Sequence, residues 1–252
     1  MSDYSANPAS VRVGRRRVLG VTAAATAGMV ASTAPAAAGS VPEGRVEPET
    51  AWRTLLAGNA RFAEQRQRHP HQDAERREEL VDGQEPFACV LSCADSRVPP
   101  EVVFDRGLGD LFTIRAAGEV LDESVIGSVE YAVEYLGVRL VVVLGHTGCG
   151  AVSAAVDLVR DGASYTGSVS TIARAIEGTV LATAPQADRE KSTTAPQADR
   201  ERFVDACVEN QARRVVTQLT ERSATIREAA AGRGVELVPA VYDLHDSRVS
   251  RR

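Results

Sequence analysis

Between Glu47 and Gln67 the apolar residues Trp52, Leu55, Leu56, Ala60 and Phe62 recur at helical spacing, which predicts an amphipathic helix. The chain then turns polar and charged as far as Glu79, a surface helix or loop. Phe87 to Cys93 is a short apolar run of the kind a strand buried on both faces requires, and Pro99-Pro100 ends it. Leu111 to Ile114 predicts a second strand, closed by Ala117-Gly118. Ser124 to Leu136 predicts a helix with Val125, Val129, Ala132, Val133 and Leu136 on one face and Gly137 as its stop. Leu140 to Leu144 is the strongest strand, and a helix through Val152, Val156 and Val159 should follow it. Helical stretches over 203–219 and 225–231 lead to a last strand, Val235 to Tyr242. Strands alternating with helices predict an α/β fold with a mostly parallel central sheet flanked by helices.

Two segments stand outside this pattern. Thr183 to Glu190 recurs as Thr194 to Glu201, and two copies are too few for a solenoid. The polar, proline-containing composition predicts a duplicated surface insert over about 183–201, mobile and without a catalytic part. At the front, Arg15-Arg16-Arg17-Val18-Leu19-Gly20 reads as a twin-arginine signal. A mildly apolar stretch follows, and Ala36-Ala37-Ala38 before Gly39 offers a cleavage site. That stretch falls short of the roughly 20 residues needed to span a bilayer. Residues 1–39 are therefore expected to be a signal peptide that engages the Tat translocon, delivering residues 46–252 as one domain to the periplasm or the cell exterior. No stable membrane span is expected after cleavage.

Composition narrows the functional classes. The 252 residues are 44% hydrophobic and 25% charged, with a net charge of −5 and no basic patch in the body of the chain, so a nucleic-acid partner is not expected. With 4% aromatic residues, nothing suggests base stacking or a carbohydrate platform. Of the four cysteines, Cys89 sits in a strand-like run and Cys207 in a helical one. Both read as small core residues, with a Cys89–Cys207 disulfide as the alternative.

The other two cysteines carry the chemistry. Cys93-Ala94-Asp95-Ser96-Arg97 stands where one buried strand runs out, and His146-Thr147-Gly148-Cys149-Gly150 where another does. In open α/β sheets ligands collect beyond the carboxyl ends of the strands, so both clusters should reach one crevice. Two cysteines and a histidine form a catalytic zinc ligand set that leaves one position open. Asp95 can accept a hydrogen bond in the same pocket, and Arg97 can hold that carboxylate by a bidentate pair. Cys149 should begin a helix, where the dipole favours a thiolate, and Gly148 and Gly150 permit close backbone approach. A purely structural zinc site, a Cys93–Cys149 disulfide, and an ordinary Asp95–Arg97 ion pair are the plainer readings. His69, His71 and His245 read as solvated, with proton shuttling by one of them as the alternative, and Trp52 as packing its helix against a neighbour.

Ser92 to Pro99 and Gly145 to Gly150 resemble the two signature motifs of β-carbonic anhydrases. Leu55 to Phe62 and Ala240 to Asp243 resemble that family's leading helix and closing strand, so the resemblance runs from about Glu47 to Leu244. It implies one Zn²⁺ per subunit held by Cys93, His146 and Cys149, with Asp95 and Arg97 as the catalytic dyad. It further implies substrate contacts from Gln84 and Gly150, and an active site at a homodimer interface within a dimer or tetramer. The implied reaction is reversible hydration of carbon dioxide to bicarbonate and a proton by way of zinc-bound hydroxide. Carbon disulfide or carbonyl sulfide hydrolysis on the same fold, and a non-catalytic zinc protein, are the alternatives. Ala116 to Glu119 departs from the family's usual Asn-Ala-Gly-Asn, a change expected at the pocket rim. Val90 stands where the bicarbonate-regulated branch carries Trp, which implies an open site with Asp95 off the metal.

Overall fold

The computed structural model describes residues 46–183 and 197–252. The leader and most of the duplicated insert lie outside them. Among the described residues, parallel strands β1 (Ala88–Ser92), β2 (Leu111–Arg115), β3 (Leu140–His146) and β4 (Glu236–Tyr242) build a sheet. A short antiparallel β5 (Val249–Arg251) extends it, and the strand order is β2-β1-β3-β4-β5. The chain leaves β1 for β2 on one side and later returns to place β3 on the other. The connections therefore diverge above the gap between β1 and β3, and a crevice opens at their carboxyl ends.

Alternation along the strands divides the core. Val90, Leu140, Val142, Leu144, Val238 and Ala240 face α1 (Pro48–Ala63), where they pack with Ala51, Trp52, Leu55 and Phe104. Cys89, Leu91, Val141 and Val143 face the opposite layer of α4 (Glu123–Glu134), α7 (Gln197–Arg222) and α8 (Ala224–Gly232). Removing one such leucine side chain would cost about 2–5 kcal/mol. Trp52 is buried in its own chain's core, where it packs α1 against the sheet. The α4 helix starts where Asp122 accepts a hydrogen bond from the Val125 N–H at 2.8 Å.

A third apolar cluster lies under the crevice. It joins Cys93 and Cys149 to Val152, Ala155 and Val156 of α5 (Gly150–Arg160), Ile176 and Val180 of α6 (Val169–Thr183), and Val204, Cys207 and Val208 of α7. Cys89 and Cys207 are free and belong to different clusters, so each fills core volume. Burial pushes the Cys89 thiol up to about 12 and the Cys207 thiol up to about 11. The expected loop over 183–201 is corrected at its end, because α7 begins at Gln197, inside the second copy of the repeat. No helix among the described residues is long and apolar enough to cross a membrane.

Candidate metal centre

Cys93 follows the last residue of β1, His146 is the last residue of β3, and Cys149 is the N-cap of α5. Their ligand atoms all lie within 4.8 Å of one another, and all three residues are buried. The two sulfurs are 3.9 Å apart. Two thiolates on a tetrahedral zinc with bonds of about 2.3 Å would be separated by about 3.8 Å, so the spacing fits. The imidazole fits as well. His146 Nδ1 lies 3.0 Å from the carbonyl oxygen of Thr147, which can only accept, so Nδ1 carries the proton. The lone pair is then on Nε2, a buried atom with no hydrogen-bond partner. A buried orphan acceptor beside two sulfurs is what a cation would satisfy.

Electrostatics favours the same occupant. The hydrogen bond from Cys149 pulls the Cys93 thiol well down, and Cys93 in turn pushes the Cys149 thiol up. A divalent cation between the two sulfurs would hold both as thiolates and neutralise their charge.

The loop between the ligands is tied at several points. Thr147 N–H donates to the Tyr242 carbonyl at 3.0 Å, and Leu244 N–H donates to Thr147 Oγ1 at 2.9 Å. Gly148 N–H donates to Asp205 Oδ1 at 3.1 Å. Gly148 has φ +64°, so here glycine serves the left-handed turn. Gly150 is exposed at the first turn of α5, and a Cβ added there would meet nothing within 4 Å. Gly150 borders open space, and Gly148 answers to its backbone angle.

Asp95 and Arg97 stand beside the cluster as expected. Arg97 N–H and Nε each donate to Asp95 Oδ1 at 2.9 Å, and Nη2 donates to Oδ2 at 2.7 Å. Those bonds hold the Asp95 carboxyl far below the usual carboxylate range. Asp95 Oδ2 is 3.8 Å from His146 Nε2. On its outer side the dyad borders a cavity of about 370 Å³, which Arg97, Thr147, Gly148, Asp205 and Leu244 help to line. Gln84 is exposed on the approach to β1, at the amino end of that strand, and the cluster lies at the carboxyl end.

Three features went unread in the sequence. Arg115, the last residue of β2, donates through Nε and Nη2 to the Cys93 carbonyl, both at 3.0 Å. Gly118 N–H donates to Cys93 Sγ at 3.3 Å. Glu119, placed at the rim by the sequence reading, is 1% exposed, and its Oε1 is buried with no hydrogen-bond partner. Burial, then the nearby Cys93 sulfur, push its carboxyl well above the usual range.

A divalent-metal site of two cysteines and one histidine, at the switch point of a parallel sheet, defines a metalloenzyme of the α/β class. The family profile described as carbonic anhydrase matches residues 88–249. Carbonic anhydrase 2 of Mycobacterium tuberculosis is 40% identical over 205 residues, covering 81% of this chain and 93% of its own. The carbonic anhydrase of Mycolicibacterium smegmatis matches at the same identity and coverage. Among solved structures, a β-carbonic anhydrase of Aspergillus fumigatus superposes with a TM-score of 0.62 at 25% identity, covering 80% of this chain and 90% of its own. The chain belongs to the β-carbonic anhydrase family. It is an enzyme of zinc-mediated carbon dioxide hydration.

Proposed function

We propose that Cys93, His146 and Cys149 hold one zinc ion per chain and that Asp95 and Arg97 organise the reaction beside it. The convergence of two sulfurs and the orphaned His146 Nε2 within 4.8 Å supports this most directly. When bound, zinc acidifies water and so supplies the nucleophile for carbon dioxide. The chain's own residues do the rest. The ionised Asp95 carboxylate accepts a hydrogen bond from the attacking water and fixes the direction of its lone pair. Arg97 spans both Asp95 oxygens and would keep the carboxylate from reaching the metal that Cys93, His146 and Cys149 would hold. Open space over Gly150 at the start of α5 admits carbon dioxide and releases bicarbonate.

Gln84 lies at the opposite end of β1 from its own chain's cluster, so we assign its substrate contact to the site of a second copy. That placement requires a homodimer or a tetramer built from dimers. A solved β-carbonic anhydrase from Sordaria macrospora, which shares the fold, is described as tetrameric. Residues 1–39 act in this reading as a twin-arginine leader that exports the domain through the Tat translocon. The run Arg15 to Gly20 and Ala36 to Ala38 support it, and fractionation of cells carrying Arg15→Lys, Arg16→Lys and Arg17→Lys together tests it.

Stopped-flow carbon dioxide hydration on protein of measured zinc content tests the catalytic assignment. Turnover proportional to zinc is expected. Zinc-loaded protein with no hydration above background, or with hydrolysis of carbonyl sulfide alone, overturns it.

A further inference from the structure

The turn Ala117–Glu119 reaches Cys93 through its backbone, where the Gly118 N–H donates to the Cys93 sulfur at 3.3 Å. Gly118 has φ +65°, and a Cβ there would sit 2.6 Å from Ile176 Cδ1 and 2.9 Å from Ala151 Cβ, so only glycine fits. The turn is closed by the Glu119 N–H, which donates to the Ala116 carbonyl at 3.0 Å, and it is held from outside as well.

That hold comes from two other helices. Gln211 Nε2, on α7, donates to the Gly118 carbonyl at 3.1 Å. Thr179 Oγ1, on α6, donates to Gln211 Oε1 at 2.6 Å. Gln211 is 3% exposed and Thr179 1% exposed, so water does not compete for either bond. The Thr179 hydroxyl also sets which way the amide points. With Oε1 engaged, Nε2 faces Gly118, and a flipped amide would set oxygen against oxygen.

We propose that Gln211 and Thr179 are positioning residues for the metal centre, acting through Gly118 to keep an N–H on the Cys93 sulfur. This rests on the zinc reading above. An N–H bonded to a ligand thiolate draws electron density from sulfur and weakens its donation to the metal. At a site where two thiolates already neutralise a divalent ion, that restores part of the electrophilicity carbon dioxide hydration needs. The order of bonds is Thr179 to Gln211 to Gly118 to Cys93, and every member is buried.

The test is the sulfur-to-metal charge-transfer band of the full-length protein loaded with Co²⁺, read beside carbon dioxide turnover. Gln211→Leu removes the donor at similar volume, Thr179→Val removes only the hydroxyl, and Thr179→Ser retains it. Gln211→Leu is expected to move the band to longer wavelength and lower turnover about tenfold. Thr179→Val should move both in the same direction by less, and Thr179→Ser should match the wild type. Folded, cobalt-loaded Gln211→Leu with the wild-type band overturns the proposal. If Gln211→Leu does not fold, Thr179→Val with an unshifted band overturns it instead. A wild-type protein that binds cobalt with no sulfur-to-metal band overturns the zinc reading on which the proposal stands.

Discussion

Replacing Asp95 by asparagine separates the chemistry of the site from its stability. In the native pair, Oδ1 accepts the Arg97 N–H and Nε, and Oδ2 accepts Nη2. Asparagine keeps one oxygen but turns an NH₂ toward the guanidinium, and the negative charge is gone. The Arg97 side chain is 55% exposed and that of Asp95 18% exposed, so solvent screens the pair. Its worth to folding is then no more than about 1 kcal/mol, or a Tm change of roughly 2–4 °C. The effect on reaction is larger, because a positioned proton acceptor contributes about 10²–10⁴ in rate, roughly 3–5 kcal/mol of barrier. Asp95→Asn should retain zinc and lose turnover by about 100-fold or more in stopped-flow hydration. The sign with pH follows from the lowered Asp95 pKa. Its stabilisation is present above the unfolded value of about 4 and is lost only as pH falls through the lower native value. The carboxylate therefore stays ionised across the neutral range, and the ratio of mutant to wild-type rates should be flat from roughly pH 6 to 9. Wild-type turnover in zinc-loaded Asp95→Asn, or a ratio that changes about tenfold across that window, would refute the reasoning.

Cys149→Ala leaves two ligands and should abolish zinc retention through gel filtration, measured by elemental analysis, with α5 still capped by backbone alone. Gly148→Ala forces a side chain into a left-handed turn with no clash, since Leu244 Cδ1 would be 3.9 Å away. The cost should be about 1–2 kcal/mol, read as a Tm lowered by several degrees. Glu119 has its native pKa raised by burial, so its contribution to stability is greatest below about 4.3 and declines as pH rises toward the native value. Glu119→Gln should therefore flatten the fall of Tm with pH above that point in zinc-loaded protein. An unchanged slope would contradict the raised pKa of the buried carboxyl.

Cys93 and His146 were legible in the sequence because each stands where an apolar run ends, and Cys149 comes with His146 in the same short motif. Chain topology carries such strand ends to one edge whatever the surrounding loops do. Cys93 and His146 follow directly from β1 and β3, and Asp95 and Arg97 come with Cys93. Positions whose environment is made by tertiary packing were not legible. Gln211 lies on a helix with many charged residues and reads as surface, yet α6 covers it and Thr179 bonds it. The α6 helix itself was not read, because Ser, Thr, Ala and Gly dilute its apolar stripe of Ala173, Ile176 and Val180. Glu119 was tied to the pocket rim by the family resemblance, but φ +52° in its turn carries it inward, where it is buried. The β5 strand is three residues in a charged tail, too short for any alternation to register. Gln84 was tied to the site by resemblance alone, and strand polarity places it at the far edge of its own sheet.

X-ray absorption at the zinc edge of the loaded protein tests the central claim most directly. The expected first shell is two sulfurs at about 2.3 Å and two lighter atoms at about 2.0–2.1 Å, one of them imidazole nitrogen and the other exchangeable with solvent. A shell with fewer than two sulfurs, or one closed by four protein ligands, would contradict it.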